Sequence, residues 1–176
     1  MSTIELQIPT IHHKAEAERF KDEFFEAQEK VINGSALLDQ MAYEPWLIST
    51  TNNRQKTTVK RGWAVSDTFF ATTKSDNRII GIIDIRHSLT NDALKNYFGH
   101  IGYAVRPSER KKGYATKILK KGLEHAKTLH IEKVMLGCYS DNVASIRTIE
   151  RCSGKLTETK PYTDGKPLNI YWIKLK

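Results

Sequence analysis

The stretch "YAVRPSERKKGYATKILKKGLEHAKTLH", Tyr103 to His130, decides how the rest of the chain is read. It opens with the end of a strand, crosses a turn at Pro107 and closes as a long helix. From residue 113 to 129, Ala115, Ile118, Leu119, Gly122, Leu123, Ala126 and Leu129 recur at helical spacing and form one apolar stripe. Lys117, Lys120, Lys121, Glu124 and Lys127 form the opposite, wet face. Small residues at 115, 122 and 126 let this helix lie close to a sheet. Seven residues from Arg106 to Lys121 are Lys or Arg, and several of them crowd the turn that precedes the helix. Backbone amides in a first helical turn are unpaired and carry partial positive charge, so that end suits a phosphate. Gly113 has no Cβ to keep the phosphate off the backbone. Arg110, Lys111 and Lys112 add charge, Tyr114 and Ala115 follow in the same turn, and Thr116 adds a hydroxyl. The chain has no G-x-x-x-x-G-K-[ST] and no G-x-G-x-x-G after a strand, which excludes the P-loop and the dinucleotide fingerprint. On these residues alone, an anion cradle and a plain turn with solvated lysines stand level.

Working outward, the 176 residues suit one domain with a real core, and 39% hydrophobic with 27% charged residues is a globular composition. No apolar run approaches the ~18–20 residues of a membrane span. "MSTIELQIPT" lacks the basic and apolar regions of a signal peptide. Cys138 and Cys152 offer neither metal spacing nor a disulfide framework, so a reduced, cytoplasmic setting without membrane contact is expected. The net charge of +8 favours anionic partners without naming them. "NGS" at Asn33–Ser35 reads as a turn. Periodicity predicts a strand over 3–8, a helix over 14–31 with Ala17, Phe20, Phe24, Ala27 and Val31 inward, and a shorter helix over 36–49 containing Pro45 and Trp46. A mobile polar loop follows over 50–62. Strands over 64–73 and 79–87 flank the turn "KSDNR", and "IIGIIDIRH" reads as a buried central strand. A loop over 89–98 leads to a strand over 100–105 and the helix over 113–129. A strand over 133–138, a helix over 142–152 capped by "SDN", and strands near 155–159 and 168–175 complete the chain. The fold class is mixed α/β, a single domain spanning 1–176, with about seven strands in a central twisted sheet and about four helices.

Within this order of elements, "RKKGYA" (Arg110–Ala115) resembles the R/Q-x-x-G-x-G/A signature of the GNAT superfamily of N-acetyltransferases, with Ala115 in place of the commoner Gly. The signature follows the strand "IGYAV" and opens a long helix, as in that family. "SDNVAS" supplies the Asn-led second helix in Asn142 and Ser145. The stretch as a whole is similar to a bacterial subgroup of predicted acetyltransferases. The resemblance implies that acetyl-CoA sits between splayed strands near 100–105 and 133–138. Its pyrophosphate would lie on the amides from Lys111 to Thr116. Its pantetheine arm would pair with backbone at Tyr103, Ala104 and Val105 and meet Asn142. An amine would attack the thioester directly, with the oxyanion held by the Tyr103 amide. No metal is implied.

The match stops at proton transfer. The position that often holds a Tyr, seven residues after the Asn, is Ile149, and the strand positions that often hold a base are Gly99 and Ile101. His100 lies between those two and faces the other way by strand alternation, unless a bulge near Gly99 turns it. His100 is taken as the first candidate base and Tyr139 as the alternative acid, with Asp84 and His87 on the neighbouring strand. Asp84 and Arg86 are as well explained as a pair on one strand face, and Cys138 as a small buried residue. The expected acceptor is a small-molecule or peptide amine, and dimerisation is left open. A non-catalytic acyl-CoA-binding domain is the second reading. A nucleic-acid-binding protein is the third, and it is disfavoured because no aromatics interleave with the basic cluster.

Overall fold

The computed structural model describes residues 2–176. Its strands are β1 (Ile4–Gln7), β2 (Ser66–Thr73), β3 (Ile79–Arg86), β4 (Ile101–Val105), β5 (Lys133–Tyr139), β6 (Lys155–Pro161) and β7 (Pro167–Lys174). Its helices are α1 (Lys14–Glu26), α2 (Tyr43–Asn53), α3 (Tyr114–Thr128) and α4 (Val143–Arg151). The seven strands form two antiparallel ladders, β1-β2-β3-β4 and β5-β7-β6. A single bridge, Gly99 to Leu136, joins them.

The isoleucine run makes β3 the middle of the first ladder, covered on both faces. Ile80, Ile83 and Ile85 pack with Ile118, Leu119 and Leu123 of α3. Ile79 and Ile82 pack with Phe20 and Phe24 of α1 and Trp46 of α2. The small-residue stripe on α3 acts as its composition suggests: a Cβ on Gly122 would lie 2.4 Å from Ile83 Cδ1, so the glycine leaves room for that side chain between helix and sheet.

The first two helices depart from their expected bounds for local reasons. α1 ends at Glu26, not near 31. Gln28 takes a left-handed conformation (φ 61°), its amide bonds Phe25 O and the Glu29 amide bonds Phe24 O. This pair of bonds is the Schellman stop, here built on a glutamine in place of the glycine that usually announces it. Val31 is consequently 64% exposed. α2 starts at Tyr43, so Pro45 sits in its first turn, where a missing amide costs nothing. The helix then runs through Thr50 and Asn53, both buried, into the segment expected as loop. The expected loop at 89–98 ends in a π-helical turn, Leu94–Phe98.

Arg106, only 4% exposed, ties the end of β4 to α1. Its Nη1 donates to Glu16 Oε1 (2.6 Å) and to Ile79 O (3.0 Å), and its Nε donates to Glu23 Oε2 (2.6 Å). Glu23 also accepts from the Ser108 amide at 2.6 Å. Burial pushes the Glu23 carboxyl up, but the bonds from Arg106 and Ser108 outweigh it and hold it at about 2, against an ordinary 4.5. A folded-state value below the unfolded one contributes stability that is present above pH 4.5 and lost as pH falls toward 2. Urea unfolding at stepped pH should show that decline, and Glu23→Gln should lower stability at pH 7 while flattening the decline between pH 4.5 and 2.

Candidate active site

The site begins where β4 and β5 part. At the vertex the His100 amide donates to Met135 O (2.8 Å), while the His100 carbonyl accepts from the Arg86 amide (2.8 Å). An amide and carbonyl sent to two different strands mean that the chain turns at this residue. Gly99, at φ 66°, makes the turn possible, since a Cβ there would lie 2.1 Å from Met135 O. Beyond the vertex the two strands share no ladder, and a cleft of about 750 Å³ opens between them.

Strand phase determines what the cleft receives. Arg86 bonds His100 O and Arg106 bonds Ile80 O. The pairs Asp84–Gly102 and Ile82–Ala104 fall in the same phase of the ladder. Gly102 and Ala104 therefore commit their backbones to β3. Ile101, Tyr103 and Val105 direct theirs to the open side, and the Val105 carbonyl takes Arg110 Nε there at 3.1 Å. So of the three residues expected to pair with a ligand, Tyr103 and Val105 present backbone to the cleft, whereas Ala104 lines it without a free amide.

The turn before α3 holds six consecutive amides, Lys111 to Thr116, that meet no acceptor among the described residues. Positive φ at Lys111 (60°) and Gly113 (79°) curls this segment into the N-terminus of α3. Lys111, Gly113, Tyr114, Ala115 and Thr116 line the cleft, and a run of unpaired amides at a helix N-terminus is an anion-binding concavity. The flanking side chains behave differently from the sequence expectation. Arg110 forks onto Glu29 (2.5 and 2.8 Å) and lies over the Phe24 ring, so its charge is already matched and it braces the turn against α1. Lys112 pairs with Glu109 at 2.9 Å and does not line the cleft. The Tyr114 ring is buried, and its hydroxyl accepts from the Ser2 amide.

On the far wall, Asn142 Oδ1 caps α4 by accepting from the Ser145 amide (3.1 Å). Ser145 Oγ meets Tyr103 Oη at 2.9 Å, a bond that spans the cleft from β4 to α4. Burial pushes the Tyr103 hydroxyl up to about 12, so it is protonated at neutral pH. Ile149 is 1% exposed and belongs to the core. Cys138 is free, buried and pushed up to about 11 by that burial, the state of an unreactive thiol.

Neither candidate for proton transfer stands free in the cleft. The turn at Gly99 does reorient His100, but it sends the ring beneath β5, beside Trp172. There Nδ1 accepts from the Met135 amide (3.0 Å), and burial together with Arg86 lowers the ring to about 4. His100 does not line the cleft. Tyr139 does, but its hydroxyl donates to Asp164 Oδ2 at 2.8 Å, which raises it to about 12. His87 pairs with Asp67 outside the cleft, and Asp84 is buried, accepting from Thr68 and lying 3.5 Å from Arg86.

Several lining residues carried no signal of their own in the sequence. Gly34, of the "NGS" turn, lies face-on against the peptide between Gly102 and Tyr103. A Cβ on Gly34 would come 2.1 Å from Gly102 O and 2.5 Å from Tyr103 N. Tyr97 and Phe98, from the π-helical turn, stack edgewise on Tyr162 of the β6–β7 turn and wall the end of the cleft nearest the vertex. The π-helical turn seats on β5 at Gly137, where a Cβ would lie 1.8 Å from Tyr97 O.

Sequence comparison identifies the family to which this strand–turn–helix cleft belongs. The chain belongs to the GNAT acetyltransferase family, whose domain profile matches residues 10–155. No curated protein sequence matches it. Among solved structures it is similar to the microcin C7 self-immunity acetyltransferase MccE, crystallised with acetyl-CoA and AMP (TM-score 0.71, 17% identity, 97% of this chain and 92% of that one). It is also similar to RimL, the ribosomal L7/L12 α-N-protein acetyltransferase, solved with CoA (0.68, 18%, 99% and 96%). A third is the Salmonella typhimurium acetyltransferase that modifies the N-terminal serine of L7/L12 (0.69, 17%, 100% and 97%). At these identities the likeness is one of fold.

The contact at Gly34 gives a comparison internal to the protein. Gly34 and Gly62 both have positive φ, 68° and 85°, but a Cβ added to Gly62 would meet nothing within 4 Å. Gly62→Ala should cost the left-handed strain alone, ~1–2 kcal/mol. Gly34→Ala should add overpacking of about 1–3 kcal/mol. Equal losses in urea unfolding would show that the approach to the Gly102–Tyr103 peptide is unimportant.

Proposed function

We propose that this protein is an acetyl-CoA-dependent N-acetyltransferase that acetylates a primary amine. The observation carrying the reading is the continuity of one cleft. It runs from six unpaired amides at the α3 N-terminus, along the backbone of Val105 and Tyr103, to a walled chamber beside the strand vertex. The amides of Lys111 to Thr116 suit a pyrophosphate. The exposed edge of β4 suits the amides of a pantetheine arm, which would add to it as a strand does. The side-chain amide nitrogen of Asn142 is left free by the capping bond and suits the same arm. Acetyl-CoA supplies an activated acyl thioester.

The chain's own groups then do three things. The Tyr103 amide, directed into the cleft and backed by Gly34, is placed to stabilise developing negative charge on a carbonyl oxygen. The Tyr103 hydroxyl, kept protonated by burial, serves as the proton donor for the departing sulfur on the wall where Ile149 offers none. No side-chain base lines the cleft: of its carboxylates, Glu29 is held by Arg110, and Glu109 by Lys112 and Arg78. The amine therefore reacts from its neutral form and releases its proton to water.

Thermal unfolding should shift upward with acetyl-CoA, by the equivalent of about 2.7 kcal/mol at 100 times the dissociation constant. Gly113→Glu, which sets a carboxylate in the cradle, should abolish that shift, and its persistence would rule the cradle out. Because His100 is held neutral down to about pH 4, kcat/KM should rise tenfold per pH unit below the acceptor's own pKa with no inflection near 6.5. An inflection there that vanishes in His100→Asn would restore His100 as the base. Tyr103→Phe should lower kcat by about 10²-fold at pH 7, the low end of the usual range for a general acid. It should cost little above pH 9, where a thiol with pKa near ~8.5 leaves without a proton. The same assays separate an enzyme from a non-catalytic binding domain, which would show the thermal shift and no release of free thiol.

A further inference from the structure

Arg86 lines the vertex end of the cleft, whose aromatic walls also carry Lys160 Nζ 5.4 Å over the Tyr97 ring and Lys166 Nζ 5.9 Å over the Tyr139 ring. Arg86 Nη1 donates to Gly99 O at 3.2 Å and its Nε lies 3.5 Å from Asp84 Oδ2. Its Nη2 has no partner among the described residues and lies 4.0 Å from the position a Cβ would take on Gly102. The side chain is 22% exposed and lines the cleft. Arg86 Nη2 thus lies beside Gly102, the residue before Tyr103, on the face of β4 where the Gly34 backbone also packs, 3.1 Å from a Cβ placed on Gly102. Among the described residues Asp84 is the one carboxylate within ion-pair distance of Arg86, and burial raises its carboxyl above the ordinary value. The two carboxylates that line the cleft, Glu29 and Glu109, belong to its other end and are paired there. Asp164 is turned onto Tyr139 Oη and the Lys166 amide. A polycationic acceptor would meet at this end only Asp164, already bonded by Tyr139 and the Lys166 amide, and would be repelled by Arg86.

Planar guanidinium edges bind carboxylates with short, charge-assisted bonds that are strong when water is excluded. Arg86 and the Tyr103 backbone line one cleft, with Gly102 between them, so an acceptor that sets its amine at Tyr103 and a carboxylate on Arg86 carries the two groups close together. Beyond them stand the apolar walls of Tyr97, Phe98, Tyr162 and Leu168. From this geometry we infer that the acceptor is a free α-amino acid with an apolar or aromatic side chain, its carboxylate on Arg86, its amine beside Tyr103 and its side chain against the aromatic wall. The inference rests on the acetyltransferase reading for the identity of the amine, and on Arg86 alone for the carboxylate.

The test separates the two. Calorimetric titration of the protein, with and without CoA, compares N-acetylphenylalanine with N-acetylphenethylamine, which differ only in the carboxylate. The carboxylate compound should bind at least tenfold tighter, and the advantage should disappear in Arg86→Met. Because that change leaves Asp84 without its neighbour, the double variant Asp84→Asn, Arg86→Met is measured beside it, and Arg86→Lys should keep part of the preference. Equal binding of the two compounds by the wild-type protein overturns the inference, as does a preference that survives in the double variant. Acetylation of phenylalanine and leucine is then compared with that of phenethylamine, spermidine and a peptide with an acidic N-terminal residue. Faster reaction of any of these last three overturns the amino-acid assignment while sustaining acetyl transfer. A carboxylate preference in binding with no turnover of any amine sustains the Arg86 site and sinks the catalytic reading.

Discussion

The cleft of this protein follows from backbone groups left without a ladder. β4 and β5 meet at one bridge and separate, and a strand edge that faces protein instead of bulk water must find partners. The turn before α3 repeats the condition, with six amides that meet no acceptor among the described residues. Both sets lie on the same cleft, one along its side and one at its end. A ligand with amides in its middle and phosphates at one end meets both demands together, which is why a single geometric defect in the sheet specifies so much of what can bind.

Keeping that defect open requires the neighbours to be rigid. The turn is fastened from beneath by Arg106 to Glu16 and Glu23, and from the side by Arg110 to Glu29, so α1 supports a loop more than 80 positions away in sequence. The vertex is held by glycines that permit contacts no side chain would allow: Gly99 on Met135, Gly137 on Tyr97 and Gly34 on the Gly102–Tyr103 peptide. The charged residues that look like ligand-binding groups in the sequence are therefore partly structural, and the groups left unpaired on the cleft are largely backbone.

Much of the fold was legible. β3 and α3 carry unambiguous patterns, one a continuous isoleucine run and the other a clean amphipathic stripe, because each answers to burial along its whole length. The ends of α1 and α2 were not legible. A Schellman stop on Gln28 lacks the glycine that marks such stops, and Pro45 in a first turn looks the same on paper as Pro45 in a helix interior. The mixed sheet read from the sequence is two antiparallel ladders touching at one point, since pairing between distant strands leaves no local trace.

For the site, the sequence by itself determined the strand–turn–helix with Gly113 and the Asn142 cap, because both are written in consecutive residues whose backbone conformation follows from their identity. It also determined that Ile149 offers no proton. Only the tertiary structure decided the direction of each side chain. It turned His100 under β5, gave Arg110 and Lys112 to nearby glutamates, and sent Tyr103 Oη across to Ser145. It also brought Gly34, Arg86, Tyr97 and Tyr162 to one chamber from four separate segments. The physical reason is range: cap and turn preferences act over three or four residues, whereas strand phase, the splay and the charge around a buried guanidinium are set by groups tens of residues apart.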